Sequence, residues 1–299
     1  MTSVFPVRFV VLAGALLAGP TLLAQTPASS APVDSQALPR MIATERAFAA
    51  ATAEIGVRDG FLTFFADDAI SLDAGPVGSP ARIGHAKDAL RALAAAKLPV
   101  LTQLMWQPFT GQISEDGTLG WLTGPYVSLS QLTKDITAQG AYFSVWKRQA
   151  DGTFRVWLDE GVALPQVWSG ASDFHPAPPA DAGTVGVSGE SLDEAERAVA
   201  SGGTSWTARL AASMRLHREG LMPVSGRDQA TAWASNAWAS VHYAVVDAER
   251  AASGDLGVAL GGYDATTAAG AERGTWVRVW QRDLSNRWRI VFETSKRAK

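Results

Sequence analysis

The 299-residue sequence contains no cysteine and only four histidines, His85, His175, His217 and His242. The missing cysteine excludes a thiol nucleophile, a thiolate metal site, a lipid anchor on cysteine and any disulfide support for stability. The four histidines show no HExxH or other paired spacing, which argues against a zinc enzyme. No metal and no cofactor is expected. Charge is sparse as well: Asp, Glu, Lys and Arg make up 18% of the chain and the formal net charge is −3. The largest basic group is the short tail Lys296, Arg297 and Lys299. A phosphate-binding surface needs a concentrated Lys/Arg patch, so nucleic acid is not an expected partner.

What is present is apolar material, 47% of the residues, enough for a sizeable core, and a length that fits about two domains. At the N-terminus Arg8 precedes an apolar run from Phe9 to Leu23, broken by Gly14, Gly19 and Pro20. The run is too short and too broken to span a membrane and reads as a secretory signal over 1–24, with Ala24 as the cleavage point. An uncleaved anchor is the alternative. Residues 25–37 are rich in Ser, Pro, Ala and Thr and read as a disordered leader. The expected location is secreted or periplasmic, with no membrane insertion once the signal is removed.

Internal similarity organises the rest. Ser144-Val145-Trp146-Lys147-Arg148, a turn at Asp151-Gly152 and Phe154-Arg155-Val156-Trp157-Leu158-Asp159 match a later segment. That segment is Arg278-Val279-Trp280-Gln281-Arg282, a turn at Ser285-Asn286 and Trp288-Arg289-Ile290-Val291-Phe292-Glu293. Each copy predicts a β-hairpin. Upstream, Leu119-Gly120 to Tyr126 matches Leu256-Gly257 to Tyr263, and Gly84-His85 and Gly226-Arg227 each open an Ala-rich helix. The repeat places one domain at 38–166 and a second at 187–299. A linker joins them over 167–186, largely in the Pro/Gly/Ser-rich stretch Ser169–Glu190. In the first domain the pattern predicts helices over Pro39–Glu54, Asp59–Ala66 and His85–Ala96, the last with Leu90 and Leu93 inward. Strands are expected at Ala69–Leu72, Gln103–Phe109, Thr118–Leu129, Gly140–Gln149 and Thr153–Ala163. Helices first and antiparallel strands after them indicate an α+β fold with helices on one sheet face.

The order Phe64-Phe65-Ala66-Asp67-Asp68-Ala69, Gly84 before a helix, the Asp116-Gly117 to Tyr126 strand and the Trp146 hairpin resembles the nuclear transport factor 2-like superfamily. That group includes ketosteroid isomerase and SnoaL-type polyketide cyclases. The resemblance implies two tandem cones, each a curved antiparallel sheet wrapped around about three N-terminal helices, with a pocket at the open end. It also implies a role for Asp73, which sits where the isomerase carries its proton-transferring base; a turn-forming aspartate is the alternative. The isomerase's oxyanion-hole tyrosine and strand acid fall near Phe48 or Ala49 and near Ser144, none of which supplies a strong donor. His85 is a second catalytic candidate, against local capping at its helix start.

The strand aromatics Trp106, Trp121, Tyr126, Tyr142 and Trp146, with Ser144, are the candidate ligand-binding residues of an apolar cavity. His242 is expected to be buried where Trp106 lies in the first domain, and His217 to be exposed. The second domain lacks the acidic Asp67–Asp73 segment, having the basic Met214–Glu219 instead. Two functions fit, a domain pair that holds an apolar small molecule or a partner, or an isomerase or lyase using Asp73, and a structural or assembly protein using exposed sheet faces is a third reading. In each case the second domain is expected to pair with the first as an internal pseudo-dimer.

Overall fold

The computed structural model describes residues 34–76, 79–95, 102–201 and 205–298, so the signal and most of the leader lie outside the described residues. The protein is α+β, with five helices and two mixed sheets in this part of the chain. Helix α1 spans Ala37–Ile55 and buries Ala37, Met41, Glu45, Phe48 and Thr52. Steps of three and four residues put these five on one stripe, and one of them is charged. Asp34, at the end of the expected leader, is already engaged, accepting from Arg40 and Arg148.

Helix α2 (Val57–Phe64), β1 (Phe65–Asp73), β2 (Arg82–His85) and α3 (Ala86–Ala95) follow. Leu90 on α3 is part-buried in the core, whereas the Leu93 side chain lies outside the described residues. Then come β3 (Thr102–Trp106), β4 (Thr110–Ile113), β5 (Leu119–Ser130), β6 (Ile136–Arg148), β7 (Phe154–Ala163) and β8 (His175–Pro176). The first sheet runs β2-β1-β7-β6-β5-β4-β8, with β3 also paired to β5 and with β1 parallel to β7. Three of these strands, β2, β4 and β8, are additions to the sequence reading. The strand expected over Gln103–Phe109 stops at Trp106, and β4 takes up its own pairing with the other end of β5.

The second part opens with α4 (Leu192–Ala200), whose Ser191 forms a capping box with Glu194. A 3-10 turn (Trp206–Arg209), β9 (Leu210–Arg218), β10 (Leu221–Ser225) and α5 (Arg227–Ala237) lead into β11 (Ser240–Arg250), β12 (Leu256–Thr267), β13 (Gly270–Arg282) and β14 (Trp288–Arg297). The sheet order is β10-β9-β14-β13-β12-β11, with β9 parallel to β14. Both expected hairpins form, turning on positive-φ residues that tolerate that conformation, Gly152 (φ 84°) and Asn286 (φ 57°).

Register matches register. In the first sheet Leu122, Gly124 and Tyr126 face Ser144, Tyr142 and Gly140. In the second, Ala259, Gly261 and Tyr263 face Arg278, Trp276 and Gly274. Each final hairpin slips by one residue at the same place, at Val145/Trp146 and at Val279/Trp280. On β3 and β11, Trp106 pairs with Tyr126 as Tyr243 pairs with Tyr263. Tyr243, not His242, therefore stands in the place of Trp106, and His242 is exposed because it occupies the alternate face of β11.

Alternation divides each sheet into two faces. Leu119, Trp121, Phe143, Val145 and Leu158 share one buried core with Leu256, Val258, Val277, Val279 and Phe292. Phe143 and Phe292 stack at 4.6 Å with an interplanar angle of 10°. The opposite faces hold the helices: Leu122, Trp146 and Val156 with Met41 and Phe48, and Ala259, Trp280 and Ile290 with Leu192 and Val199. His217, expected to be exposed, is fully buried between the sheets, edge-on to Trp168 and Phe292. Desolvation holds its pKa well below the usual histidine range, so it is neutral.

The stretch expected to be a linker is fastened along its length. His175–Pro176 adds to the edge of β4, Ala180 is buried, and Asp181 accepts from the Ala212 N–H at 2.5 Å and from Arg227 at 2.6 Å. No helix among the described residues is long and apolar enough to cross a membrane.

Candidate functional site

Glu45 is the charged member of the α1 stripe, one turn from Met41 and from Phe48, so packing the helix on the sheet carries its carboxyl inside. Three donors meet it there. Trp106 Nε1 donates to Oε1 at 2.6 Å, while Ser144 Oγ at 2.7 Å and Trp146 Nε1 at 2.9 Å donate to Oε2. Full burial raises the Glu45 pKa, and the three hydrogen bonds only partly offset that rise.

Beside this cluster lies a cavity of about 130 Å³. Phe61, Leu104, Trp106, Tyr126 and Tyr142 form its apolar walls, and Asp159, Glu160 and Gly161 of β7 close another side. The glycines there are needed for room: a Cβ on Gly140 would fall 2.2 Å from Tyr126 Cε1, so the ring can lie across the strands only over a bare backbone. The Tyr142 hydroxyl is buried without a hydrogen-bond partner among the described residues. Desolvation drives its pKa well above the normal phenol value, and the Glu45 and Asp159 charges add to the rise.

Asp159 faces the cavity from β7, opposite Ser144. Desolvation raises its pKa well above the carboxylate range, and the charges that act on it, Glu45 and Glu160, are both acidic and push the same way. The neighbouring Glu160 has its pKa pushed up to about 7 by burial, against the pull of Lys296 and a hydrogen bond from the Leu72 N–H. Chemically the site offers an apolar recess with two acids, one of them free of donors, and one unused phenol.

The structure gathers five of the eight sequence candidates around this place and separates the other three. Trp106, Tyr126 and Tyr142 line the cavity, and Ser144 lies beneath them on Glu45. Trp146 is fully buried under the cavity as a donor to the same carboxylate and presents no surface to a ligand. Trp121 turns the other way, packing on Phe292 at 5.0 Å, because five residues separate it from Tyr126 and put it on the opposite face of β5. Asp73 ends β1 exposed, its Oδ1 accepting from the Gly75 N–H at 2.8 Å, which is the turn-forming alternative. His85 is also exposed; its Nε2 lies 2.6 Å from the Asp67 carbonyl oxygen and its Nδ1 3.5 Å from Asp88. Neither Asp73 nor His85 is part of the cavity lining.

Glu45, Asp159 and Glu160 escaped the sequence reading. A signal for the first was present: Met41, Glu45 and Phe48 have the same spacing as Leu192, Glu196 and Val199, an acid on an apolar stripe in both.

No family model matches the sequence, and no curated protein matches it. Solved structures do. They include nuclear transport factor 2-like and ketosteroid isomerase-like proteins. A nuclear transport factor 2-like protein of unknown function from Shewanella oneidensis is 14% identical, over 30% of this chain and 78% of that one, with a TM-score of 0.26. A ketosteroid isomerase-like protein from Erwinia carotovora atroseptica is 12% identical, over 36% of this chain and 94% of that one, with a TM-score of 0.31.

Proposed function

We propose that the chain is an exported pair of nuclear transport factor 2-like cones, of which the first (38–166) binds a small molecule with an apolar body. The second (187–299) braces it through sheet-to-sheet contact, as an internal counterpart of a dimer. The cavity walled by Phe61, Leu104, Trp106, Tyr126 and Tyr142 carries the binding reading, because an apolar recess with a buried hydroxyl that has no partner among the described residues has the make-up of a ligand pocket. An engineered cavity of about 150 Å³ admits a benzene-sized molecule, so the guest here has about one six-membered ring inside. Support for the paired cones comes from the repeated register, the repeated slip and the shared core.

Binding is preferred to isomerase or lyase chemistry because Asp73, the residue proposed as base, is occupied in a solvent-exposed turn. The acid that does face the cavity, Asp159, is desolvated there, which raises its pKa and disfavours the carboxylate form. The test is a thermal-shift and calorimetric screen of single-ring compounds against the protein and its Leu104→Trp variant. Leu104 lines the cavity, so tryptophan fills it. At least one compound is expected to raise the melting temperature of the native protein and to lose that effect in the variant. A screen without stabilisation, or equal stabilisation of both proteins, would overturn the reading.

A further inference from the structure

The second sheet shows what sits in this position when the chain fills it itself. Arg278 occupies the register of Ser144, facing Ala259 as Ser144 faces Leu122. Its side chain is fully buried. The guanidinium donates to Glu196 at 2.5 and 3.2 Å and also to Glu293. It lies 4.0 Å from the Tyr243 ring centroid and 4.2 Å from that of Trp276, so two acids and two aromatic faces enclose one cation.

Every component but the cation has a counterpart in the first sheet. Glu45 matches Glu196 on the helix stripe, since a Cβ on Gly120 would meet Met41 just as one on Gly257 would meet Leu192. Asp159 matches Glu293, three residues beyond each hairpin slip. Trp106 and Tyr142 match Tyr243 and Trp276, with ring centroids 6.3 Å apart in the first sheet and 5.9 Å in the second. Ser144 replaces the arginine, and the cavity lies alongside, lined by Trp106, Tyr142 and Asp159.

Resting on the binding reading above, we propose that the first-sheet cavity is a site for a small organic cation, an amine or amidine on an apolar ring, which takes the part that Arg278 plays in the second sheet. Two further observations agree. The Tyr142 hydroxyl has no partner among the described residues, although it is buried beside two acids. Asp159 sits among acids alone, a placement that a cation would relieve. A metal ion fits less well, because both Glu45 oxygens are already taken by N–H and O–H donors and the remaining walls are aromatic.

Binding then expels a proton. The titratable and charged groups around the cavity are Glu45, Tyr126, Tyr142, Asp159 and Glu160, with Arg46, Glu219 and Lys296 acting from outside it. Of these, Asp159 and Glu160 line the cavity with raised pKa values, and a permanent cation entering it favours loss of a proton from either.

The experiment compares benzamidine with its neutral isostere benzamide on the full chain by titration calorimetry at pH 7 in two buffers of different ionisation enthalpy. Benzamidine is expected to bind at least tenfold more tightly, with release of protons. Asp159→Asn is expected to remove the preference and to reduce the proton release. Ser144→Arg, which supplies the tethered cation, is expected to abolish benzamidine binding and raise the melting temperature. Equal binding of the two compounds, or a preference unaltered in Asp159→Asn, overturns the cation assignment and leaves the small-molecule reading standing. Failure of both compounds, and of every neutral ring compound in the screen, overturns both.

Discussion

Replacing Glu160 by glutamine turns its elevated pKa into a measurable change in stability. The carboxyl sits against Lys296 of the second sheet at 3.8 Å, with its side chain 13% exposed, and its pKa is about 7 in place of 4.5. The folded state thus holds the proton more tightly than the unfolded chain. Between pH 4.5 and 7 the native protein carries more protons than the unfolded one, so stability falls as pH rises through that window. A difference of about 2.5 pK units at 1.36 kcal/mol each gives roughly 3 kcal/mol as an upper bound on the penalty above pH 7. Glutamine keeps the acceptor for the Leu72 N–H and carries no charge to desolvate. Urea unfolding of both proteins at pH 4.5, 6 and 8 reads the difference. The variant is expected to match the native protein at pH 4.5 and to exceed it by about 1–3 kcal/mol at pH 8, the lower figure allowing for the lost attraction to Lys296. A constant difference across pH, or a variant less stable at pH 8, would refute the reasoning.

Arg278→Met leaves Glu196 and Glu293 buried without their cation and is expected to cost about 3–5 kcal/mol in urea unfolding at pH 8. Adding Glu196→Gln and Glu293→Gln should restore much of it, and a single-variant loss below about 1 kcal/mol would count against the buried triad. Export predicts that protein recovered from the periplasm or medium begins after Ala24, a difference of 24 residues in intact mass. A full-length mass there would point to the uncleaved anchor.

The hairpins, the strand aromatics and the order of elements were legible because alternation and turn residues are local signals. Trp146 and Trp280, eight residues ahead of Phe154 and Trp288, marked both hairpins directly. The acids were not legible. Glu45 reads as an exposed helix residue until Trp106, Ser144 and Trp146, all more than 60 positions away, converge on it. Asp159 and Glu160 are adjacent, and only the slip at Val145/Trp146 determines that the first faces the helices. Trp121 was grouped with the cavity on composition, although its odd spacing from Tyr126 already assigned it to the other face. His217 lies in a basic stretch that suggested solvent, yet the second sheet covers it.

The division of the first sheet into two faces has a consequence for how this protein can change over generations. Phe143, Val145 and Leu158 anchor one face, while Tyr142, Ser144 and Asp159 shape the other, and each set interleaves with its counterpart along the same strands. Substitutions at the second set redraw what the recess accepts without removing a contact from the first. A lineage carrying this fold can therefore drift from one guest to another, or seal the recess with a side chain of its own, while the shared core that keeps it folded stays intact.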